Sequence, residues 1–251
     1  MKADITISLA QVAVVKGDVD ANLASHLALL EQSAELGADV VVFPELSLTG
    51  YELELAKVLA IEPNAGNFTQ LSQASMKHNL IVIVGCPLRI DDVDKPTIGS
   101  VICFPSGDVE FYSKQYLHDG EGEYCSAANE DYLCNVNGHR IGLAICADFS
   151  RPEHACRAVA KGADIYLVSA LISEAGFAAD ESTLSGIAAA HHVPVLLSNH
   201  ISQTGGWSAC GNNTLWNSNG DVVLSSESKQ QGVVLCKLGG ETVSAEKHVF
   251  Y

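Results

Sequence analysis

The sequence has 251 residues, of which 47% are hydrophobic and 18% are charged. This length is enough for a substantial buried core, and the low share of charged residues excludes an intrinsically disordered chain. The 30 acidic residues outnumber the 14 basic ones, which gives a formal net charge of −16. That charge argues against nucleic acid and anionic membrane surfaces as partners, because both are bound through basic faces.

The beginning of the sequence does not have the pattern of a secretory signal. Asp4, Gln11 and Lys16 interrupt the apolar residues there, so no continuous apolar core forms. The stretch 182–219 carries no charged side chain other than histidine, but its His, Asn and Pro residues exclude a membrane span. We therefore expect a cytoplasmic protein that does not enter a membrane and acts on a small molecule.

The hydrophobic pattern alternates between short apolar strands and helices. Asp20 is expected to cap a first helix that ends at Gly37, and the turn residues 105–108 predict a β-hairpin. Alternating strands and helices indicate an α/β fold with buried sheets, and the hairpins indicate that these sheets are mixed. No linker-like segment divides the chain, so we expect a single domain over residues 1–251. In chain order, the other predicted helices are 69–78, 152–161 and 176–191, and the predicted strands are 5–15, 39–43, 80–84, 101–104, 109–112, 141–145, 165–169, 195–198, 213–216, 222–225 and 232–236.

The eight cysteines are spread along the chain, and no two of them form a CxxC pair. A structural zinc site is therefore poorly supported. Without a signal peptide, reduced thiols are favoured over disulfides, and most of these side chains are expected to be small buried hydrophobes. The useful question is whether one cysteine differs from the others.

Three predicted strands run directly into a side chain that can take part in chemistry. Glu45 follows the strand 39–43, Lys114 follows the hairpin, and Cys146 follows the strand 141–145. Ligands of sheet proteins usually gather beyond the carboxyl ends of strands, so these three groups are candidates to converge. Each alone has a simpler interpretation: a surface or capping acid, a solvated lysine and a core thiol.

Taken together, the segments around these residues resemble the nitrilase, or carbon–nitrogen hydrolase, superfamily. The matching motifs are FPELSLTGY (43–51), YSKQYLHDGEGEY (112–124) and GLAICADFSRPEHACRAVAKGADI (142–165), and the likeness extends over nearly the whole chain. The resemblance implies a four-layer α-β-β-α sandwich with two mixed sheets, which usually assembles as a homodimer or a higher homo-oligomer. It also implies a site that needs no cofactor and no metal.

In this family the site is a Glu-Lys-Cys triad. The resemblance makes Cys146 the nucleophile, Glu45 the general base and then the acid, and Lys114 the partner of the oxyanion together with the backbone N–H of Ala147. These roles suit the groups, since a thiol must be deprotonated to attack and a desolvated glutamate can take its proton. The intermediate would be a thioester.

A second glutamate often follows the lysine in this family. Glu121 and Glu123 are the candidates here, and the spacing to the next aromatic residue favours Glu121. The alternative is that both are solvated acids on a glycine-rich loop. The sequence departs from the common pattern at Ala147 and Cys125, where aromatic residues are frequent, and these changes affect the substrate rather than the triad.

The expected activity is the hydrolysis of a small-molecule amide with release of ammonia or an amine. N-carbamoyl compounds and nitriles are alternatives at the same site. A binding protein that has lost catalysis and a redox thiol protein, with Cys146 paired to Cys125, are the other classes considered. His118, Trp207 and the pair Asn199-His200 are further candidates to line the pocket, whereas Trp216 is expected to lie in the core.

Overall fold

The computed structural model describes residues 2–90, 93–240 and 242–250. Its strands, numbered in chain order, are β1 (Ile5–Gln11), β2 (Val40–Val42), β3 (Ile81–Leu88), β4 (Thr97–Cys103), β5 (Val109–Ser113), β6 (Leu133–Val136), β7 (His139–Ile145), β8 (Ile165–Ala170), β9 (Val195–Asn199), β10 (Gln203–Thr204), β11 (Trp207–Ser208), β12 (Thr214–Trp216), β13 (Val222–Ser225), β14 (Gly232–Gly239) and β15 (Thr242–Val249).

The α-helices lie between these strands, and their bounds largely follow the predicted ones. They are α1 (Val19–Glu35), α2 (Ala56–Leu59), α3 (Thr69–His78), α4 (Pro152–Ala160) and α5 (Phe177–His191). The predicted cap of the first helix is wrong: Asp18, not Asp20, precedes α1, and its side chain accepts a 3.0 Å hydrogen bond from Ala21 N. Asp20 instead lies inside the first turn, where the helix dipole also stabilises a carboxylate.

The strands form two large mixed sheets and a small two-stranded ribbon. The first sheet has the order β15-β14-β1-β2-β3-β4-β5, with β1, β2 and β3 parallel. The second sheet has the order β13-β12-β9-β8-β7-β6, with β7, β8 and β9 parallel. Strands β10 and β11 pair only with each other.

The two sheets pack face to face, and helices cover their outer faces. Alternate residues of β1, such as Ile7, face Leu143 and the rest of the second sheet in one apolar cluster. The opposite face of the first sheet packs on α1 and α3 around Leu30 and Leu71. Ala155 and Ala158 of α4 pack on the outer face of the second sheet with α5. The predicted four-layer α-β-β-α sandwich is confirmed.

The prediction extended the first strand too far and omitted β6, β10, β11 and β15. Strand β1 ends at Gln11 because its partner β14 begins opposite it, at Gly232. The Gln11 side chain then bonds the backbone carbonyl oxygens of Ser228 and Gln230 at 3.1 and 2.9 Å. No helix in the described ranges is both long enough and apolar enough to cross a membrane.

Serine side chains join the two sheets beside the carboxyl end of β2. Ser169 of β8 donates a 3.0 Å hydrogen bond to the carbonyl oxygen of Phe43, and Ser198 of β9 donates one of 3.1 Å to that of Val42. Both serines are buried. These bonds fix the end of a first-sheet strand against two strands of the second sheet.

Candidate active site

Glu45 stands on a tight turn just beyond β2. The turn needs an unusual backbone, because Leu46 has a φ of +50°. It also needs space, which Gly85 of β3 provides: a Cβ there would lie 2.7 Å from the carbonyl oxygen of Pro44 and in still closer contact with Leu46 N. The glutamate side chain is 1% exposed. A glycine on the neighbouring strand thus allows a carboxylate to sit inside the protein.

Lys114 follows β5 and is completely buried. Its Nζ lies 2.7 Å from Glu45 Oε1 and 2.7 Å from Glu121 Oε1. A buried ammonium is stable only when paired with anions and hydrogen-bonded, and two carboxylates fulfil both requirements. Lys114 and Glu45 both follow strands of the first sheet. Strands β2 and β5 run in the same direction, so their carboxyl ends lie on the same side of that sheet.

Glu121, not Glu123, is the acid that contacts the lysine. Glu121 is fully buried, whereas Glu123 is exposed. The Oε2 of Glu121 accepts a 2.7 Å hydrogen bond from His118 N, and Oε1 accepts one from the hydroxyl of Tyr51. These bonds hold its carboxylate against Lys114.

Cys146 lies at the carboxyl end of β7, in the second sheet. Its φ of +43° is rare for a non-glycine residue and marks a sharp turn from the strand into a 3₁₀ turn, Cys146–Asp148. The thiol is partly exposed and lies 3.9 Å from the carbonyl oxygen of Leu171. All eight cysteines are free, and six of them are buried as expected.

The charges in this cluster are set by burial and by one another. Burial raises the pKa of Glu45 to about 7, against the opposing effect of Lys114, and the charge of Glu121 adds to the rise. Burial by itself lowers the pKa of Lys114, but the surrounding anions, above all Glu45, raise it beyond its ordinary value. The lysine is therefore charged near neutral pH, and the pKa of Glu45 lies well above the ordinary value of a glutamate.

The thiol of Cys146 is held in its protonated form. Burial, followed by the nearby carboxylate of Glu45, raises its pKa well above the ordinary value, although Lys114 acts in the other direction. A thiol of this kind reacts when a base removes its proton during the attack. Glu45, with a pKa near neutrality, is suited to that task.

Asp148 joins the lysine and cysteine segments. Its Oδ1 accepts hydrogen bonds from the backbone N–H groups of Gln115 and Tyr116, both at 2.9 Å. Its Oδ2 accepts one of 2.9 Å from Ile145 N and one of 2.6 Å from the hydroxyl of Tyr112. The carboxylate is completely buried.

A pocket of about 380 Å³ opens above the thiol. Its volume suits a small molecule. Cys146 and Ala147 lie at its base, and the side chains around it are mostly apolar. The other lining residues are Tyr51, His118, Phe149, Ser150, Leu171, Ile172, Ser173, Ala175, Gly176, Asp180 and Trp207.

The structure therefore brings Glu45, Lys114 and Glu121 into direct contact and places Cys146 and Ala147 at the pocket. His118 and Trp207 line it, as considered from the sequence, and both are exposed. Trp216 lies in the core, and Cys125 is also buried. Among the residues that the structure describes, no group of three or more His, Cys, Asp or Glu side chains is placed to hold a metal ion.

Sequence reasoning assigned no role to Tyr51, Asp148 or Asp180, and it did not decide the place of His200. His200 is fully buried outside the pocket, and its Nε2 donates a 2.5 Å hydrogen bond to the backbone carbonyl oxygen of Glu45. Tyr51 and Asp148 were visible as members of motifs, but their partners lie 70 and 33 residues away. Such contacts depend on the sheet topology.

Curated proteins share part of this sequence. A glutamine-dependent NAD(+) synthetase of Aquifex aeolicus is 28% identical over 156 residues, which cover 59% of this chain and 27% of that protein. A 2-oxoglutaramate amidase of Bacillus subtilis is 27% identical over 183 residues, which cover 66% of this chain and 64% of that protein. The chain thus spans about a quarter of the synthetase's length.

Solved structures give the same fold. A variant of the amidase from Nesterenkonia sp. AN1, with an acetamide moiety added covalently at its active-site cysteine, superposes with a TM-score of 0.84 at 19% identity. The alignment covers 93% of this chain and 90% of the amidase chain. A family model described as carbon-nitrogen hydrolase matches residues 6–245. The chain belongs to the carbon–nitrogen hydrolase family.

Proposed function

We propose that this chain, acting as one domain over residues 1–251, hydrolyses the carbon–nitrogen bond of a small-molecule amide. Cys146 is the nucleophile, Glu45 the general base and acid, and Lys114 the stabiliser of the oxyanion. The observation that carries the proposal is the fully buried Glu45–Lys114–Glu121 cluster beside a pocket whose base is formed by a strained cysteine. A buried lysine and a glutamate of raised pKa are costly to maintain and are typical of catalytic sites.

The first step is attack on the amide carbonyl carbon. The Cys146 sulfur forms a bond to that carbon while its proton passes to Glu45, and the π electrons of the carbonyl move onto oxygen. The resulting oxyanion is stabilised by the ammonium of Lys114 and by the backbone N–H of Ala147. No preformed thiolate is needed, which suits the raised pKa of Cys146.

The second step breaks the carbon–nitrogen bond. The oxyanion collapses, Glu45 returns its proton to the departing nitrogen, and ammonia or an amine leaves a thioester on Cys146. A water molecule then gives one proton to Glu45 and adds to the thioester carbon. Cys146 leaves as its thiol, taking that proton, and the product is a carboxylic acid.

The experiment is a screen for ammonia release from primary amides, N-carbamoyl compounds and nitriles, combined with rapid acid quenching and intact-mass measurement. We expect ammonia from one or more amides and a protein adduct with the mass of the acyl group, mapped to Cys146. Cys146→Ser is expected to lose the adduct, and Lys114→Ala is expected to lower kcat by about 10²–10³-fold.

Cys156→Ser is the matched control, because Cys156 is an exposed thiol that does not line the pocket. It should retain both turnover and the adduct. Turnover of nitriles alone, or of N-carbamoyl compounds alone, would show that the substrate belongs to that class and not to the amides. Amide turnover that survives Cys146→Ser would overturn the assignment of the nucleophile.

The family resemblance also supports a homodimer or a higher homo-oligomer, and we propose this assembly for the chain. Sedimentation velocity at micromolar concentration tests it. A species of at least twice the mass of one chain is expected, and a monomer throughout the concentration range would contradict it.

A further inference from the structure

Asp180 is an acidic side chain on the wall of the catalytic pocket with no partner among the described residues. It lies in the first turn of α5 and is partly buried. Within the described ranges, its carboxylate accepts no hydrogen bond and forms no ion pair, whereas Asp131, which is also partly buried, pairs with Arg157 and Lys161. A carboxylate partly withdrawn from water on a pocket wall is stabilised further when a ligand supplies a positive charge or a donor.

The helix dipole favours an acid in the first turn of α5, but Asp180 makes no capping hydrogen bond there. A capping acid accepts a hydrogen bond from a backbone N–H in the first turn. At the start of α5 the side-chain acceptor is a serine: Ser173 Oγ accepts a 3.2 Å hydrogen bond from Gly176 N. Burial raises the pKa of Asp180, and the imidazole of His118, also on the pocket wall, opposes that rise. Its Oδ2 lies 3.6 Å from the position that a Cβ on Gly176 would take, at the start of α5, and the side chain also lines the pocket.

The polar side chains near Asp180 include a hydrogen-bond acceptor. His118 Nδ1 lies 3.2 Å from the carbonyl oxygen of Asp119, so this nitrogen is the donor of that contact. Ser150 donates its hydroxyl hydrogen to the carbonyl oxygen of Ala147 at 2.7 Å, which leaves its lone pairs available. No Lys or Arg stands among the described lining residues. A substrate carboxylate would find no counter-ion on this wall.

Trp207 adds an aromatic surface to the same pocket. It is 45% exposed, although a tryptophan of a protein core is normally buried. The face of an indole ring attracts cations, and an exposed tryptophan at a binding site commonly serves as a contact for ligand. An acid, a serine hydroxyl and an indole make a pocket wall that suits a positively charged hydrogen-bond donor.

We propose that the acyl part of the substrate carries an ammonium group, which binds to Asp180 beside Trp207 while the amide carbonyl lies at Cys146. This inference rests on the proposed function, because it identifies the substrate class of the same site. Asp180 would act by selecting the substrate, and it would take no part in bond breaking.

Its test uses primary amides of three to six carbons whose far end is an ammonium, a methyl or a carboxylate group. At the best length, we expect wild-type kcat/KM to be about tenfold higher for the ammonium amide than for the methyl amide, since a charged hydrogen bond at a partly exposed site is of that strength. The carboxylate amide is expected to be the poorest substrate. Asp180→Asn should lower kcat/KM about tenfold more for the ammonium amide than for the methyl amide.

Glu174→Gln is the matched control. Glu174 lies in the segment just before α5, pairs with Lys229 and does not line the pocket, so its replacement changes the net charge equally. This variant should keep the wild-type ratio of the two amides. An equal effect of Asp180→Asn on both amides, or a wild-type preference for the methyl amide, would overturn the inference.

A binding measurement separates this inference from the proposed function. Calorimetric titration of the Cys146→Ser variant with the ammonium amide, with and without Asp180→Asn, needs no turnover. If wild type hydrolyses no amide but binding weakens with Asp180→Asn, the proposed reaction is wrong and the ammonium site stands. If amides are hydrolysed but Asp180→Asn leaves the affinity for the ammonium amide unchanged, the reaction stands and the ammonium site is wrong.

Discussion

Asp148 Oδ1 accepts a 2.9 Å hydrogen bond from the backbone N–H of Gln115, the residue that follows Lys114. Because the other oxygen of this carboxylate bonds the N–H of Ile145, immediately before Cys146, one buried side chain aligns segments of both sheets. It touches no part of the pocket. Asp148 is therefore a positioning residue, and it acts through the backbone of the residues beside Lys114 and Cys146.

Replacing Asp148 by Asn should lower the free energy of unfolding by about 3 kcal/mol, because an amide NH₂ would then face a backbone N–H donor in a buried site. Urea unfolding measures this change. Tyr112→Phe removes one of the four hydrogen bonds to Asp148, together with the contacts of the same hydroxyl to His154 and Gln115, and should cost about 1–2 kcal/mol. Equal stability of Asp148→Asn and wild type would contradict the role.

The pH dependence of kcat/KM should report the ionisation of Glu45. A general base must be ionised in the free enzyme, so activity is present above a pKa of about 7 and is lost as the pH falls through that value. Initial rates between pH 5 and pH 9 measure this acidic limb, the part of the profile in which activity falls with falling pH. A limb near the ordinary pKa of a glutamate would show that Glu45 is not the base.

Glu121→Gln should move the same limb to lower pH. The negative charge of Glu121 contributes to the raised pKa of Glu45, and removing it makes ionisation of Glu45 easier. The pH profile of this variant is compared with that of Glu123→Gln, whose exposed side chain does not contact Lys114. Identical limbs in the two variants would remove Glu121 from the site.

Gly85→Ala should reduce kcat strongly while the protein still folds. The new methyl group would press on Pro44 and Leu46 and displace the turn that carries Glu45. A shift of about 1 Å in a catalytic group commonly costs about 10²-fold in rate. Gly186→Ala is the control, since nothing lies within 4 Å of its Cβ and the helix should gain about 0.5–1 kcal/mol. Crystal structures of both variants would show whether the turn has moved.

His200→Ala should lower kcat with little change in KM. Burial lowers the pKa of His200 to about 4, so the ring is neutral and donates from Nε2 to the carbonyl oxygen of Glu45. Without that bond the base loses its fixed position, and we expect a fall of about 10²-fold. Steady-state kinetics give the split between kcat and KM. A proportional rise in KM alone would place His200 in substrate binding.

Much of the fold follows from local sequence patterns. The helix α3 has the predicted bounds, Thr69–His78, because its periodicity and its end at Asn79, with φ of +53°, are both local signals. The strand β15 was omitted because its apolar residues alternate with charged ones at the edge of the sheet, next to β14. Which strands pair, and in which sheet, depends on contacts between distant segments and was not available from the sequence.

The same division holds for the candidate site. Glu45, Lys114 and Cys146 were found because each follows an apolar strand, and the motif favoured Glu121. Asp180 was not found because an acid in the first turn of a helix is ordinary, and only the pocket shows that it has no partner.

The candidate nucleophile and its base stand on different sheets, Cys146 on the second and Glu45 on the first. The gap between them is therefore set by the apolar side chains of the central layer, such as Ile83 and Leu143, and not by any single loop. Removing a methyl group from a side chain in that layer should lower the catalytic rate before it unfolds the protein. The outer helical layers do not set this distance. The amino-acid sequence is therefore freer to vary in those layers than in the central one.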